Sequence, residues 1–204
     1  ADRTFLFRAK SVYLNQIQDA MLKEEVLESL TQFMTEEEFF RFCRENDQLR
    51  IERDKNGNIL LMPPSGFETG RRNSKLTAEL VFWNEKTNPG GEVGDSSTGY
   101  TLPNGAVRSP DASWISHKRL SAAPPESRER FIHAVPEFIA EIRSKSDRSK
   151  TLREKMEEYI ECGVLLGWYI DVPGQLVEIY RANGEVETKE GFDQVLSGET
   201  VLPG

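Results

Sequence analysis

Three segments of the chain decide its fold: SPDASW at 109–114, FIAEIRSKSD at 138–147 and REKMEEYIECGVLLGWYIDV at 153–172. The run at 165–171 is almost wholly apolar, as expected for a strand buried on both faces of a sheet, and a second strand is predicted at 137–142. Between them, one helical stripe carries the apolar residues Leu152, Met156, Tyr159 and Ile160, and Gly163 ends that helix. We therefore predict a strand–helix–strand unit with two parallel strands at the centre of the domain.

The flanking sequence adds strands and helices of both kinds. Thr35 and Glu38 form a capping box that predicts a helix over 36–45, and the Leu76, Leu80 and Trp83 spacing predicts another over 71–86. Hairpins are predicted at 49–62 and 177–188, with short strands at 92–94, 100–102, 106–108 and 111–115. The fold class is α/β (mixed α+β), with a central mixed β-sheet flanked by helices. Residues 1–33, with a loosely helical pattern, form an N-terminal helical extension before a domain at 34–204.

Composition and net charge exclude some classes of function for this chain. The net charge of -8 and a pI near 5.0 exclude a protein whose whole surface binds polyanions, so any nucleic-acid contact needs a local basic patch. Two cysteines without metal-ligand spacing and only two histidines argue against a zinc site. Any metal is then a hard cation held by carboxylates. No apolar run approaches the ~20 residues of a membrane span, so we expect a soluble, cytoplasmic protein.

Two acids occupy unusual positions. Asp111 follows a proline at a strand start, and Glu141 lies inside an apolar strand, where an unpaired carboxylate costs several kcal/mol. Carboxylates from neighbouring strands can clamp a divalent cation, which activates water and polarises a phosphoryl oxygen. A basic segment follows: Arg143, Lys145, Arg148, Lys150, Arg153 and Lys155. The residues alone leave two structural interpretations open. An acid in such a position more often has a structural role than binds a metal, and the basic segment could form a solvated helix face.

Several motifs resemble those of the Uma-type family of endonucleases, within the PD-(D/E)XK, restriction-endonuclease-like superfamily. They are MTEEEFFRFCREN, RIERDKNGNILLMPPSG, GRRNSKL, DSSTGYTLPNGAVRSPDASW, FIAEIRSKSDRSKTLREKMEEYIECGVLLGWYIDV, VEIYR and LSGETVLPG. The resemblance covers 34–204 and leaves the extension outside it. It implies a restriction-endonuclease-like mixed sheet flanked by helices, a Mg2+ or Mn2+ cofactor and phosphodiester cleavage.

The resemblance also implies roles for particular residues. Asp111 takes the PD position and Glu141 the (D/E) position, as catalytic residues and metal ligands. Arg143 stands where the family pattern has lysine; it can bind phosphate but cannot transfer a proton. Lys155, at the edge of the buried helix stripe, is the expected replacement.

Four further residues complete these expectations. Lys145 is the fallback for the missing lysine and a second phosphate contact. Glu79 is the expected third metal ligand, with Glu52 next. Asp171 is expected to form a turn rather than bind a metal.

The sequence thus supports a metal-dependent nuclease acting on DNA more readily than on RNA. The alternative is a catalytically silent module of the same fold that binds nucleic acid or assembles into oligomers. The displaced lysine and the negative net charge favour this alternative. Hydrolysis of another phosphate ester is a third interpretation. The N-terminal extension suggests a homodimer.

Overall fold

A computed structural model describes residues 34–62, 65–145 and 147–204. The predicted helical extension at 1–33, and the homodimer inferred from it, lie outside these residues. None of the described helices combines the length and the apolar character needed to cross a membrane.

The described chain contains four α-helices, one 3-10 helix and ten strands. The helices are α1 (Glu36–Glu45), α2 (Phe67–Thr87), α3 (His117–Ala122) and α4 (Ser149–Glu161), with the 3-10 helix at Pro125–Glu129. The strands are β1 (Arg50–Arg53), β2 (Ile59–Met62), β3 (Gly91–Asp95), β4 (Tyr100–Thr101), β5 (Val107–Arg108), β6 (Ala112–Ser116), β7 (Phe138–Arg143), β8 (Leu166–Asp171), β9 (Leu176–Arg181) and β10 (Val186–Glu190). The capping box at Thr35 and Glu38 is present, which confirms the first predicted helix.

The strands form two sheets. The six-stranded sheet has the order β10-β9-β8-β7-β6-β3, and in it β7 and β8 are parallel while the other pairs are antiparallel. This confirms the predicted central mixed sheet and its strand–helix–strand unit. The smaller sheet has the order β2-β1-β5-β4 and was not predicted. It arises because β1 pairs with β5 through Arg53 and Val107, a long-range contact that no local pattern encodes.

Helices cover both faces of the large sheet. Leu80 of α2 packs with Trp114 and Phe138 on one face, and Met156 and Tyr159 of α4 pack with Ile139 and Tyr169 on the other. A third, smaller cluster joins α1 to the small sheet through Phe39, Ile59 and Val107. The helices therefore flank the sheet as predicted.

Helix α2 begins at Phe67, four residues before the predicted start. Gly66 is its extended N-cap, and the side chain of Glu68 holds Arg71 at 2.8 Å, so the basic first turns are partly neutralised within the helix. The apolar stripe alone could not locate this start, because Phe67 is exposed.

Two glycines give a test of the packing. A Cβ at Gly91 would lie 2.5 Å from the Trp114 ring and 2.6 Å from the carbonyl oxygen of Ile115, whereas a Cβ at Gly70 of α2 would meet nothing within 4 Å. We expect Gly91→Ala to lower the free energy of unfolding by about 1–3 kcal/mol through overpacking. Gly70→Ala should raise it by about 0.5–1 kcal/mol, because alanine favours the helix. Urea denaturation measures both, and equal midpoints for the two variants would contradict the β3–β6 packing.

Candidate active site

A buried ion-pair system lies where the two sheets and α4 meet. Nζ of Lys155 is 2.8 Å from Oε1 of Glu52 and 2.7 Å from Oε1 of Glu141. These three residues come from α4, β1 and β7, and none is more than 7% exposed. Together with Asp111 they form what we call the acid–lysine cluster. Its ion pairs tie the small sheet to the large one.

Further polar groups fix the cluster. Nη1 of Arg108 lies 3.2 Å from Oε2 of Glu52, and its Nε lies 2.7 Å from Oε2 of Glu158. The backbone N–H of Ser109 donates to Glu52 over 2.9 Å. Glu52 is thus held by three donors, whereas Glu141 receives hydrogen bonds from Lys155 and from the Tyr159 hydroxyl at 3.2 Å.

Strand register brings Asp111 to Glu141. Ala112 of β6 pairs with Ala140 of β7 in an antiparallel ladder, so the residue before β6 meets the residue that follows Ala140. Oδ2 of Asp111 accepts from the backbone N–H of Ile142 at 2.8 Å, and its Oδ1 accepts from Nδ2 of Asn73 at 2.6 Å. The two acids therefore lie side by side at one end of the large sheet.

The acids of the cluster differ in proton affinity. Burial raises the pKa of Glu141 to about 7; Lys155 opposes this rise, while the nearby charges of Asp111 and Glu52 add to it. Burial also raises the pKa of Asp111, against hydrogen bonds from Ile142 and Asn73. For Glu52 the effect of burial is outweighed by Lys155 and Arg108, which lower its pKa. Glu141 is therefore the acid that takes up a proton first as the pH falls towards and below 7.

Lys155 remains an ammonium group. Burial alone would lower its pKa, but the charges of Glu141 and Glu52 outweigh burial and raise it. A lysine in this state supplies positive charge and hydrogen bonds and does not accept a proton. Stabilisation of negative charge therefore suits Lys155 in this state, whereas proton transfer as a base does not.

The donor set fits a hard divalent cation. The cluster and its direct ion-pair partners contain four carboxylates (Glu52, Asp111, Glu141 and Glu158) but only two cations, Arg108 and Lys155, which leaves an excess of two negative charges when every acid is ionised. Within the described residues, no three His, Cys, Asp or Glu side chains are arranged as a ready metal cage. Mg2+ commonly uses only one or two carboxylates and completes its shell with water. The pair Asp111 and Glu141 meets that requirement.

Three expected site residues lie elsewhere. Glu79 of α2 is exposed. It lies six residues after Asn73, which is roughly 240° around the helix axis, so the structure does not bring it to the cluster. Glu52, the second choice for a third carboxylate, lies there instead. Lys145 is exposed beyond the end of β7. Arg143 donates to Asp171 over 2.8 Å and to the carbonyl of Asp147 over 3.1 Å, so it stabilises loops next to the cluster.

Asp171 has the turn role expected of it. Its Oδ1 accepts from the backbone N–H of Gly174 at 2.7 Å, inside the β8–β9 connection, and the side chain also pairs with Arg143. Both contacts are local to the strand ends. The prediction of a turn-former is confirmed.

Sequence reasoning missed Arg108, Tyr159 as a polar contact, and Asn73. A signal for Asn73 was present: it lies three and seven residues before Leu76 and Leu80, so it extends the buried stripe of α2 by one polar residue. For Arg108 no such signal existed, because its partners Glu52 and Glu158 are 56 and 50 residues away in the chain.

A mixed sheet flanked by helices, with an acid pair at one strand end, places the chain in the restriction-endonuclease-like class of folds. The crystal structure of a "putative nuclease belonging to DUF820" from Anabaena variabilis ATCC 29413 is similar, with a TM-score of 0.62 and 19% sequence identity over 83% of this chain and 91% of that chain. The model of the Uma2 family, described as "Putative restriction endonuclease", matches residues 36–204. The chain belongs to the Uma2 family, which confirms the resemblance noted in its sequence. None of the curated proteins is similar enough to count as a match.

The ion pairs of Lys155 can be tested by stability. Lys155→Met leaves Glu52 and Glu141 buried without their shared cation, so we expect a loss of about 3–5 kcal/mol at pH 8. The loss should shrink at pH 5: without the lysine the folded-state pKa of Glu141 lies still further above its unfolded value, so the variant gains relative stability as this acid takes up a proton. Urea denaturation at both pH values measures this.

Lys150→Met is the matched control for that substitution. Its side chain is 88% exposed on the same helix, and its one ion pair among the described residues is with Glu154 at 3.7 Å, so we expect a change within about 0.5 kcal/mol. A Lys155 variant that behaves like this control would contradict the buried ion-pair system.

Proposed function

We propose that this protein is a metal-dependent nuclease that hydrolyses phosphodiester bonds of DNA. The observation that carries the proposal is the side-by-side placement of two carboxylates, half-buried Asp111 and buried Glu141, next to a protonated lysine, in a cluster whose acids outnumber its cations. Membership of the Uma2 family supports a nuclease-like activity. The choice of DNA over RNA rests on the family resemblance alone.

In this proposal Asp111 and Glu141 hold Mg2+ or Mn2+ through their carboxylate oxygens. A divalent cation bound there lowers the pKa of water and polarises a phosphoryl oxygen. Glu52 is the nearest further acid, but it is bound to Lys155, Arg108 and Ser109, so we assign it the role of holding the lysine.

Lys155 stabilises charge during hydrolysis. As a water oxygen forms its bond to phosphorus and one ester P–O bond breaks, negative charge builds on the phosphoryl oxygens. One proton of the water passes to solvent and the leaving oxygen takes up another. An ammonium group held in a buried site stabilises that charge more strongly than it would in water. Glu52 holds the ammonium group and is itself held by Arg108, so little reorganisation of the site is needed during the reaction.

The surroundings of the cluster favour one side for a polyanion. A groove of about 490 Å3 beside α4 is lined by six carboxylates, among them Glu154, Glu157 and Glu161, and by three basic side chains, so its excess of negative charge would repel phosphate. A second groove of about 540 Å3 beside α2 is less acidic, because it contains one base, Arg50, one acid, Asp95, and several hydroxyl groups. We propose that the nucleic-acid backbone approaches on the α2 side, with exposed Lys145 as an outer phosphate contact. Arg143 would first have to leave Asp171.

The proposed activity depends on both acids. With Mg2+ or Mn2+, we expect wild-type protein to nick or degrade DNA, and we expect Asp111→Asn and Glu141→Gln to lower the rate about 100-fold or more, because each removes one ligand charge. Gel analysis of supercoiled plasmid measures the rates.

The control for these variants is Glu79→Gln, which changes an exposed acid on α2 and should leave cleavage unchanged. Equal activity of wild type, Asp111→Asn and Glu141→Gln would point to a contaminating nuclease. Absence of cleavage by a folded wild-type protein that still binds DNA would favour the silent nucleic-acid-binding module.

Cation binding should depend on pH. Since the pKa of Glu141 is raised to about 7, this acid is ionised at pH 8 and largely protonated at pH 6. A cation must displace that proton, so we expect the association constant for Mn2+ to fall about tenfold per pH unit below 7. Calorimetric titration between pH 8 and pH 5.5 measures the slope. Glu141→Gln should bind weakly with little pH dependence over this range, and a steep slope in that variant would assign the proton to another group.

A further inference from the structure

The amide of Asn73 is a buried group with only one of its two ends satisfied. Asn73 lies on the inward face of α2 and is 7% exposed. Its Nδ2 donates to Oδ1 of Asp111 over 2.6 Å, but its Oδ1 has no hydrogen-bond donor anywhere in the described part of the chain. A buried acceptor without a donor loses the hydrogen bond that water would give it in the unfolded chain. Such an atom calls for an explanation.

The orientation of this amide follows from Asp111. Both carboxylate oxygens of Asp111 act as acceptors, Oδ2 from the backbone of Ile142 and Oδ1 from Asn73. Turning the amide over would place its oxygen against a carboxylate oxygen, with no proton between them. Asn73 must therefore present its N–H group to Asp111, and its carbonyl oxygen is left facing elsewhere.

The free oxygen belongs to a residue that lines the groove beside α2. This groove measures about 540 Å3 and is bordered by Arg50, Ser74, Thr77 and Ser96 together with Asn73. A polar space of that size admits water, and a water molecule is a suitable donor for an orphaned carbonyl oxygen. Asp111 does not itself line this groove, but Asn73, which does, is hydrogen-bonded to it.

We propose that Asn73 is a positioning residue for the cation site: its N–H group orients Asp111, and its Oδ1 accepts a hydrogen bond from a water molecule carried by the divalent cation. This inference rests on the proposed function, since it needs a cation at Asp111 and Glu141. A single amide then has two tasks, which a side chain with only a donor or only an acceptor could not combine.

Asn84 is a matched control on the same helix. It lies three turns after Asn73 on nearly the same face, and both ends of its amide are paired: Nδ2 donates to the carbonyl of Gly91 at 3.0 Å, and Oδ1 accepts from Trp114 at 2.8 Å. Its role is therefore structural. Asn84→Ala should lower the melting temperature and leave cation affinity unchanged.

The test is calorimetric titration of Mn2+ into the full chain at pH 8, combined with melting temperatures with and without Mn2+. Asn73→Ala should weaken Mn2+ binding about 10- to 100-fold, the range typical of groups that orient a ligand. Asn73→Asp places a second carboxylate beside Asp111, so its metal-free melting temperature should fall. Mn2+ should then raise the melting temperature of Asn73→Asp by more than it raises that of wild type, and that of Asn73→Ala by less.

Two results would overturn the inference. Mn2+ binding by Asn73→Ala within twofold of wild type, or equal Mn2+-induced shifts in wild type and both Asn73 variants, would make Asn73 purely structural and leave the proposed nuclease intact. No saturable Mn2+ binding by wild type would overturn the cation site and the inference together. Should Asn73→Ala fail to fold, the shift of Asn73→Asp relative to wild type decides the matter.

Discussion

The rest of the structure depends on the ammonium group of Lys155, which lies between Glu52 of the small sheet and Glu141 of the large one. Without it Glu141 would be a buried carboxylate with no cation, which costs several kcal/mol, and Glu52 would be left with Arg108. The lysine in turn keeps its proton because both acids raise its pKa. This mutual dependence joins the two sheets and α4 at one point, and it places positive charge beside the acid pair.

The same arrangement of charges explains why the cluster is better suited to binding a cation than to stabilising the metal-free fold. Glu52 is satisfied by three donors, but Glu141 shares one lysine with it, and burial together with the charges of Asp111 and Glu52 raises the pKa of Glu141 to about 7. Buried acids that repel each other are a cost to the metal-free fold, and a bound cation would relieve it. The orphaned oxygen of Asn73 is a second local deficit at the same place.

Local patterns were enough to predict most of the fold. The capping box at Thr35 gave the bounds of α1, and the apolar runs around Glu141 predicted the parallel pair β7 and β8 with its connecting helix. The small sheet could not be predicted, because the pairing of β1 with β5 joins residues about fifty positions apart without a periodic signal. The third metal ligand was predicted as Glu79 rather than Glu52, because Glu79 lies on a predicted helix. In the structure, α2 turns Asn73 inward and Glu79 to solvent.

Asp111, Glu141 and Lys155 meet as the sequence led us to expect, whereas their roles remain proposals. The most direct test of the central claim is a crystal structure of the protein soaked in Mn2+, with the ion located by its anomalous scattering. The account predicts one strong peak within coordinating distance of Asp111 and Glu141, with Lys155 still bound to Glu52. A peak remote from both acids, or none at saturating Mn2+, would contradict it.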